Sequence, residues 1–213
     1  MKIRWLGHSC FLLTSPKGTR IVTDPYDEST GYVIPAVEAD YVTVSHSHFD
    51  HATVSAVQGN PQVISGRGQF VLNDVTANGT GTWHDEVGGE RRGPHTVYVF
   101  DVGGIKVSHL GDLGHLLNAQ QKAEIGKVDV LLVPTGGTYT IDAQKAWQVC
   151  QQLNPHVVIP MHYRTDALAF PLDKLSSFIA EAGGCNRVGS TTVELDKADV
   201  SRHMKAVYAL DYR

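Results

Sequence analysis

The chain has 213 residues, 42% of them apolar and 19% charged, and its 18 Lys and Arg face 22 Asp and Glu for a formal net charge of -4. That length and balance point to one domain over residues 1–213 with a core of ordinary size. The longest basic run is Arg91-Arg92, which argues against a footprint for duplex nucleic acid or an anionic membrane. Three cysteines, Cys10, Cys150 and Cys185, form no C-x-x-C pair, so neither a disulfide framework nor a thiolate zinc site is expected.

In chain order, the opening MKIRWLGHSCFLL is too short in apolar residues, and too interrupted by Gly7 and His8, to read as a secretory leader; it reads as a first strand. No window approaches the roughly 20 apolar residues that span a bilayer, so the expectation is a cytoplasmic protein with no membrane span. Residues 3–6, 11–13 and 20–23 alternate like a short antiparallel meander. The β-branched run 41–44 predicts a strand, 52–58 a short helix and 62–65 a further strand. Residues 73–94, rich in Gly and Thr, read as strand edges joined by loops around 80–84. A hairpin is expected between 98–102 and 105–110 across Gly103-Gly104. In the second half, 118–125 and 142–153 have helical spacing, the latter capped by Asp142, and 128–133 and 157–160 read as strands. Pro171 is placed in the first turn of another helix that ends at Gly183-Gly184, and 188–195 and 205–210 read as closing strands. With no repeat or linker, an α/β sandwich with strands inside and helices outside is the expected class.

Histidine carries the chemical signal, with 11 copies against 3 Met and 3 Trp. The segment His46-Ser47-His48-Phe49-Asp50-His51 packs four candidate ligands into six residues directly after an apolar strand. In an extended loop, residues two apart point the same way, which pairs His46 with His48, while Asp50 and His51 begin the next element and turn toward a second centre. Imidazole and carboxylate donors without thiolate suit zinc, iron or manganese. A solvated polar loop or a helix cap is the plainer reading, but unpaired charges beside apolar neighbours would be costly. The same grammar recurs where strand-like stretches end at His84-Asp85, at His109 and then Asp112, and at His162. Strand ends are where α/β sheets gather their sites.

These motifs resemble the metallo-β-lactamase fold superfamily across nearly the whole chain: Asp24 in Thr-Asp-Pro, His-x-His-x-Asp-His at 46–51, Gly-Asp at 111–112 and Met-His-Tyr at 161–163. Trp-Leu-Gly-His-Ser-Cys-Phe at 5–11, Gly-Asp-Leu-Gly-His at 111–115, Pro-Thr-Gly-Gly at 134–137 and Ile-Pro-Met-His-Tyr at 159–163 are similar to its compact metal-dependent hydrolase branch, with ascorbate-6-phosphate lactonase-like and N-acylphosphatidylethanolamine phospholipase D-like members. The resemblance implies a four-layer αββα sandwich of two mixed β-sheets flanked by helices. It implies two divalent metal ions, zinc first, with manganese or iron as alternatives. His46, His48 and His84 would hold one, and Asp50, His51 and His162 the other. Asp112 would bridge both, and buried Asp24 would orient the His loop. For the third motif, His95 and His109 compete with His84.

The implied reaction is attack by metal-bound hydroxide on a lactone, phosphodiester or similar ester-type bond, with Asp50 orienting the nucleophile and Asp112 between the metals. Two dications outweigh Asp50, Asp112 and hydroxide, so a small, anionic substrate is expected. His8, His115, Tyr163 and Arg164, with Tyr139, are candidates for substrate contact or ligand support. Arg91-Arg92 reads either as a phosphate contact or as a solvated face. The competing functions are an iron-dependent oxidoreductase of the same fold and a non-catalytic metal-binding protein. No nucleic-acid partner is expected, and a homo-oligomer is compatible with the sequence.

Overall fold

The computed structural model describes residues 1–212. The first sheet begins with a meander, β1 (Lys2–Gly7), β2 (Cys10–Thr14) and β3 (Arg20–Thr23), and continues through β4 (Tyr41–Val44) and β5 (Gln62–Ser65). The chain then crosses into β6 (Gly68–Leu72), β7 (Val75–Trp83), β8 (Pro94–Val102) and β9 (Ile105–His109). From there helices alternate with strands: α1 (Ala119–Ile125), β10 (Val130–Pro134), α2 (Ala143–Leu153), β11 (Val157–Met161) and α3 (Leu175–Ala182). The C-terminal part adds β12 (Asn186–Arg187), β13 (Thr192–Glu194), α4 (Lys197–Ser201) and β14 (Ala206–Ala209).

One sheet runs β13-β1-β2-β3-β4-β5 and the other β12-β14-β11-β10-β9-β8-β7-β6. Both are mixed. In the first, β3, β4 and β5 are parallel and the rest antiparallel. In the second, the strands from β12 through β9 are parallel, and β9, β8, β7 and β6 are antiparallel. Period-2 patterning builds the sandwich: Ile3 and Trp5 are buried while the alternating Lys2 and Arg4 are not. Ile3, Phe11 and Ile21 of one sheet share a core with Phe100, Val107, Leu132 and Ile159 of the other. Leu131, Val133 and Val158 point the opposite way, under Ile125, Val149, Cys150 and Phe178 of the helices. Asn118 and Asp142 cap α1 and α2 through their side chains. The outer face of the first sheet, with Leu6, Val22 and Val42, is covered by Tyr26, Tyr32, Val37 and Val57. That covering segment carries 3-10 turns at Glu28–Thr30 and Val54–Ala56. The expected sandwich of two mixed sheets flanked by helices is therefore present. No helix of the described residues is long and apolar enough to cross a membrane.

Four local expectations need correction. Residues 80–84 are no loop: β7 runs unbroken for nine residues. Its glycines mark close approach rather than turning, since a Cβ at Gly79 would lie 2.3 Å from the Gly66 carbonyl oxygen and one at Gly81 would strike the Arg67 guanidinium. The helix expected over 52–58 shrinks to a single 3-10 turn, because the Gln58 N–H is taken by the Val37 carbonyl at 2.8 Å and extends the chain. Pro171 precedes α3 rather than starting it. The Asp173 N–H is bound to the Gly136 carbonyl at 2.8 Å, and the helix begins only at Leu175. The closing strand expected at 188–195 shortens to β13 at Thr192–Glu194, because Gly189 at φ +68° turns the chain away from β12, which belongs to the other sheet.

Candidate metal centre

Every candidate ligand stands just past the C-terminal end of a strand. His8 follows β1, Asp24 follows β3, and 45–51 follow β4. His84 follows β7, Asp112 follows β9 by three residues, and His162 follows β11. His8, Asp24 and His162 have φ of +50°, +42° and +50°, a left-handed conformation that costs such residues of order 1–3 kcal/mol each and turns their side chains off the strand direction.

Two donor sets result, and a third group, Asp24, His46 and His51, overlaps both. His46, His48 and His84 each present an atom within 4.8 Å of the others, and so do His8, Asp50, His51 and His162. Within the first set His46 Nε2 and His48 Nδ1 are 3.1 Å apart. Asp112 lies between the sets: one oxygen is 3.2 Å from His51 Nε2, and the other is 3.4 Å from His84 Nε2 and 3.3 Å from His162 Nε2. Two nitrogens held at about 2.05 Å by one tetrahedral ion sit about 3.3 Å apart, so these spacings fit metal ligation. His51 Nε2, His162 Nε2 and Asp112 Oδ1 are buried and make no hydrogen bond, a costly arrangement for polar atoms that ligation would relieve. The donor set fits divalent metal ions, and the cluster brings together all seven residues expected to hold them.

The supporting contacts are equally specific. Asp24, fully buried, accepts the Ser45 N–H at 2.8 Å and the Ser45 hydroxyl at 2.5 Å. It also accepts His51 Nδ1–H at 2.9 Å, which fixes the tautomer so that the Nε2 lone pair faces Asp112. His95 Nε2 accepts the Asp112 N–H at 3.0 Å while its Nδ1 meets the Thr82 hydroxyl at 2.8 Å. His109 Nε2 donates to the Ser9 carbonyl at 2.7 Å. Of the three histidines competing for the third motif, His84 is the one in the clustered donor sets. His115 Nε2 accepts the Trp83 N–H at 3.1 Å, so it braces the end of β7 instead of joining the cluster. Tyr163 and Arg164 line a different cleft, beside Trp5 and Tyr212.

Electrostatics follow from this packing. Burial pushes the His8 imidazole down to about 4, helped by His162 and opposed by Asp50 at 3.3 Å, so His8 is neutral near pH 7. Burial also drives His46 well below the ordinary imidazole range, reinforced by His51. For Asp112, burial opposes the charge, but the His162 and His51 imidazoles outweigh it and hold the carboxyl well below its usual range. At His51 burial is outweighed by Asp112 and Asp24, which raise the imidazole above its ordinary range, so the buried carboxylates draw positive charge into the cluster as a cation receptor does.

A cavity of about 300 Å³ opens over the cluster, with His48, Asp50, His84 and Asp112 at its floor and Phe49, Arg92, Tyr139 and Phe170 at its mouth. Phe49 and Phe170 carried no sequence motif, and only the position of Phe49 between two ligands hinted at a site role.

A model of the β-lactamase superfamily domain matches residues 2–162. A UPF0173 metal-dependent hydrolase of Carboxydothermus hydrogenoformans is 33% identical over 196 residues, covering 78% of this chain and 85% of that protein. The chain belongs to this β-lactamase superfamily. A crystal structure from Thermotoga maritima, provisionally assigned as a Zn-dependent hydrolase of the metallo-β-lactamase superfamily, superposes with a TM-score of 0.82 at 44% identity, over 98% of each chain. A metallo hydrolase of Ignicoccus hospitalis shares the superfamily fold at a TM-score of 0.64 and 23% identity, over 92% of this chain and 99% of that one. The superfamily frame accounts for the mixed sheets, with the donor cluster placed at their common C-terminal edge.

Proposed function

We propose that the chain is a metal-dependent hydrolase with a dinuclear centre, acting on an ester-type bond in a small anionic substrate. The observation that carries this reading is the contact of Asp112 with His51 and His162 of one donor set and His84 of the other. In this reading His46, His48 and His84 hold one ion, Asp50, His51 and His162 the second, and Asp112 both, with zinc the first choice and manganese or iron as alternatives. Bound divalent ions supply a lowered pKa for coordinated water and a counter-charge for the developing oxyanion.

The protein's own groups divide the remaining work. Asp112, 2% exposed, keeps its charge and draws the imidazoles of both sets together. Asp50, 14% exposed at the cavity floor, is the carboxylate of the cluster that meets solvent, and its Oδ2 faces His8 Nε2 at 3.3 Å. It is placed to accept a proton from an attacking water, while His8 steadies the carboxylate. Asp24 holds the His51 tautomer, and His95 holds the Asp112 backbone.

The test is elemental analysis of purified protein with a paired carboxylic-ester and phosphodiester panel, on wild type, Asp112→Ala and His46→Ala. About two zinc or manganese ions per chain, with turnover lost in both variants, is the expected result. Stoichiometric iron with oxygen consumption, or no stoichiometric metal in chelator-free preparations, would overturn it.

A further inference from the structure

Resting on the hydrolase reading, we propose that Arg92 receives the anionic group of the substrate, and that Tyr139, Phe170 and Phe49 cover the substrate's flat or apolar part. The substrate class is then a small ester carrying a carboxylate or phosphate group one short spacer from the scissile bond.

The loop after His84 is built to present this arginine. The Asp85 carboxylate accepts four backbone N–H groups, from Val87 at 3.0 Å, Gly89 at 2.7 Å, Arg91 at 2.9 Å and Arg92 at 2.8 Å. A carboxylate that gathers four amides fixes the path of the loop. The two arginines it delivers have different fates. Arg91 is exposed and stands 3.8 Å from Glu86. Arg92 is half-buried, with its guanidinium carbon 4.8 Å above the Tyr139 ring. Among the described residues, no carboxylate forms an ion pair with it.

The surroundings favour an anion there. Arg92 lines the 300 Å³ cavity over the donor cluster, a volume at the small end for ligand sites. It also lines a 900 Å³ groove beside His46 and His48, where Arg67 is the other charged lining group and no carboxylate takes part. A guanidinium facing a centre that takes up dications is repelled by them, and an anion between the two relieves that repulsion. Its fork of N–H donors matches carboxylate or phosphate oxygens. Opposite it, Phe170 stands edge-on to both Tyr139, at 6.2 Å, and Phe49, at 6.3 Å. Phe49 is 52% exposed, so an aromatic rim is left open for the rest of the ligand.

Two readouts on the metal-loaded protein test this. The first is fluorescence titration with 8-anilinonaphthalene-1-sulfonate against N-phenyl-1-naphthylamine, which differs from it in lacking the sulfonate. The second compares kcat and KM for 4-nitrophenyl hemisuccinate and 4-nitrophenyl acetate. Wild type is expected to bind the sulfonate more tightly than its neutral counterpart. Arg92→Ala should weaken that binding about 10- to 100-fold, the worth of a charged hydrogen-bonded contact. Arg92→Lys should restore part of it, Arg91→Ala should leave it unchanged, and the neutral probe should bind all four proteins alike. The KM for hemisuccinate should rise in Arg92→Ala while acetate turnover stays within about twofold. Equal sulfonate binding by wild type and Arg92→Ala, no preference for the sulfonate in wild type, or parallel loss of both probes would overturn the assignment. Sulfonate binding that depends on Arg92, in a protein that turns over neither ester, would uphold the anion site and count against the hydrolase reading alone.

Discussion

Asp24→Asn isolates the part that second-layer hydrogen bonding plays in the metal centre. The substitution is nearly isosteric in a fully buried site, so packing is preserved, but the donor count is not. One Asp24 oxygen accepts the Ser45 N–H, and the other accepts both the Ser45 hydroxyl and His51 Nδ1–H. With the asparagine oxygen held by the Ser45 N–H, its NH2 faces His51. The Ser45 hydroxyl can rotate to accept from it, while the imidazole can accept only by moving its proton to Nε2. That proton then occupies the lone pair directed at Asp112 and at the proposed ion. Loss of one charge-assisted bond is worth about 1.5–3 kcal/mol, which is about a 10- to 100-fold fall in metal affinity, the range seen when such orienting carboxylates are removed. The assay is zinc competition against a chromophoric chelator, with urea unfolding of the metal-free protein in parallel. A zinc affinity within twofold of wild type would refute the reasoning. So would a metal-free protein so destabilised that it accounts for the whole loss.

Two further predictions rest on other parts of the chain. A Cβ at Gly111 would lie 2.4 Å from His95 Nε2 and 2.8 Å from Ser45 Oγ, at a φ of +48°, so Gly111→Ala should cost about 1–3 kcal/mol and lower metal content with it, read by urea midpoints and elemental analysis; wild-type values for both would contradict the packing described. Asp40 receives the Arg20 guanidinium at 3.1 Å and the Arg20 N–H at 2.8 Å, and the Arg20 contact holds its carboxyl below the ordinary range. Because the folded-state pKa is depressed, its stabilisation is full above the unfolded value near 4 and fades as pH falls through the lower folded value. Asp40→Asn should therefore cost at most about 1 kcal/mol at pH 7, given the exposure of the pair, with the gap from wild type narrowing below pH 4; a gap that widens in acid would reverse the sign.

Much of the site was legible because it is written in short-range grammar. An apolar strand that stops at a ligand is visible in 41–51, in 105–112 and in 157–162 without any knowledge of pairing. The hairpin at Gly103-Gly104 and the caps Asn118 and Asp142 are local signals of the same kind. What escaped depends on contacts that sequence spacing does not encode. Gly79 and Gly81 look like loop residues until Gly66 and Arg67 are seen lying against them. The separation of Arg92 from Arg91 needs the convergence of four amides on Asp85. His8 joins a donor set only because β1 ends beside β11, where the His162 N–H meets the His8 carbonyl at 3.2 Å.

The placement of the donors along the chain also bears on how the centre matures. In a polypeptide made from its N-terminus, residues 46–51 emerge as a short peptide with three imidazoles and a carboxylate, able to catch a metal ion while the second sheet is still unmade. His84 and Asp112 follow, and His162 arrives only after β11, so both proposed centres pass through incomplete intermediates whose affinity rises in steps as the sheets close. An ion captured early would draw the two halves of the sandwich together, and one lost late would free them. With the centres as proposed, metal supply during synthesis would bear on assembly of the sandwich as well as on activity.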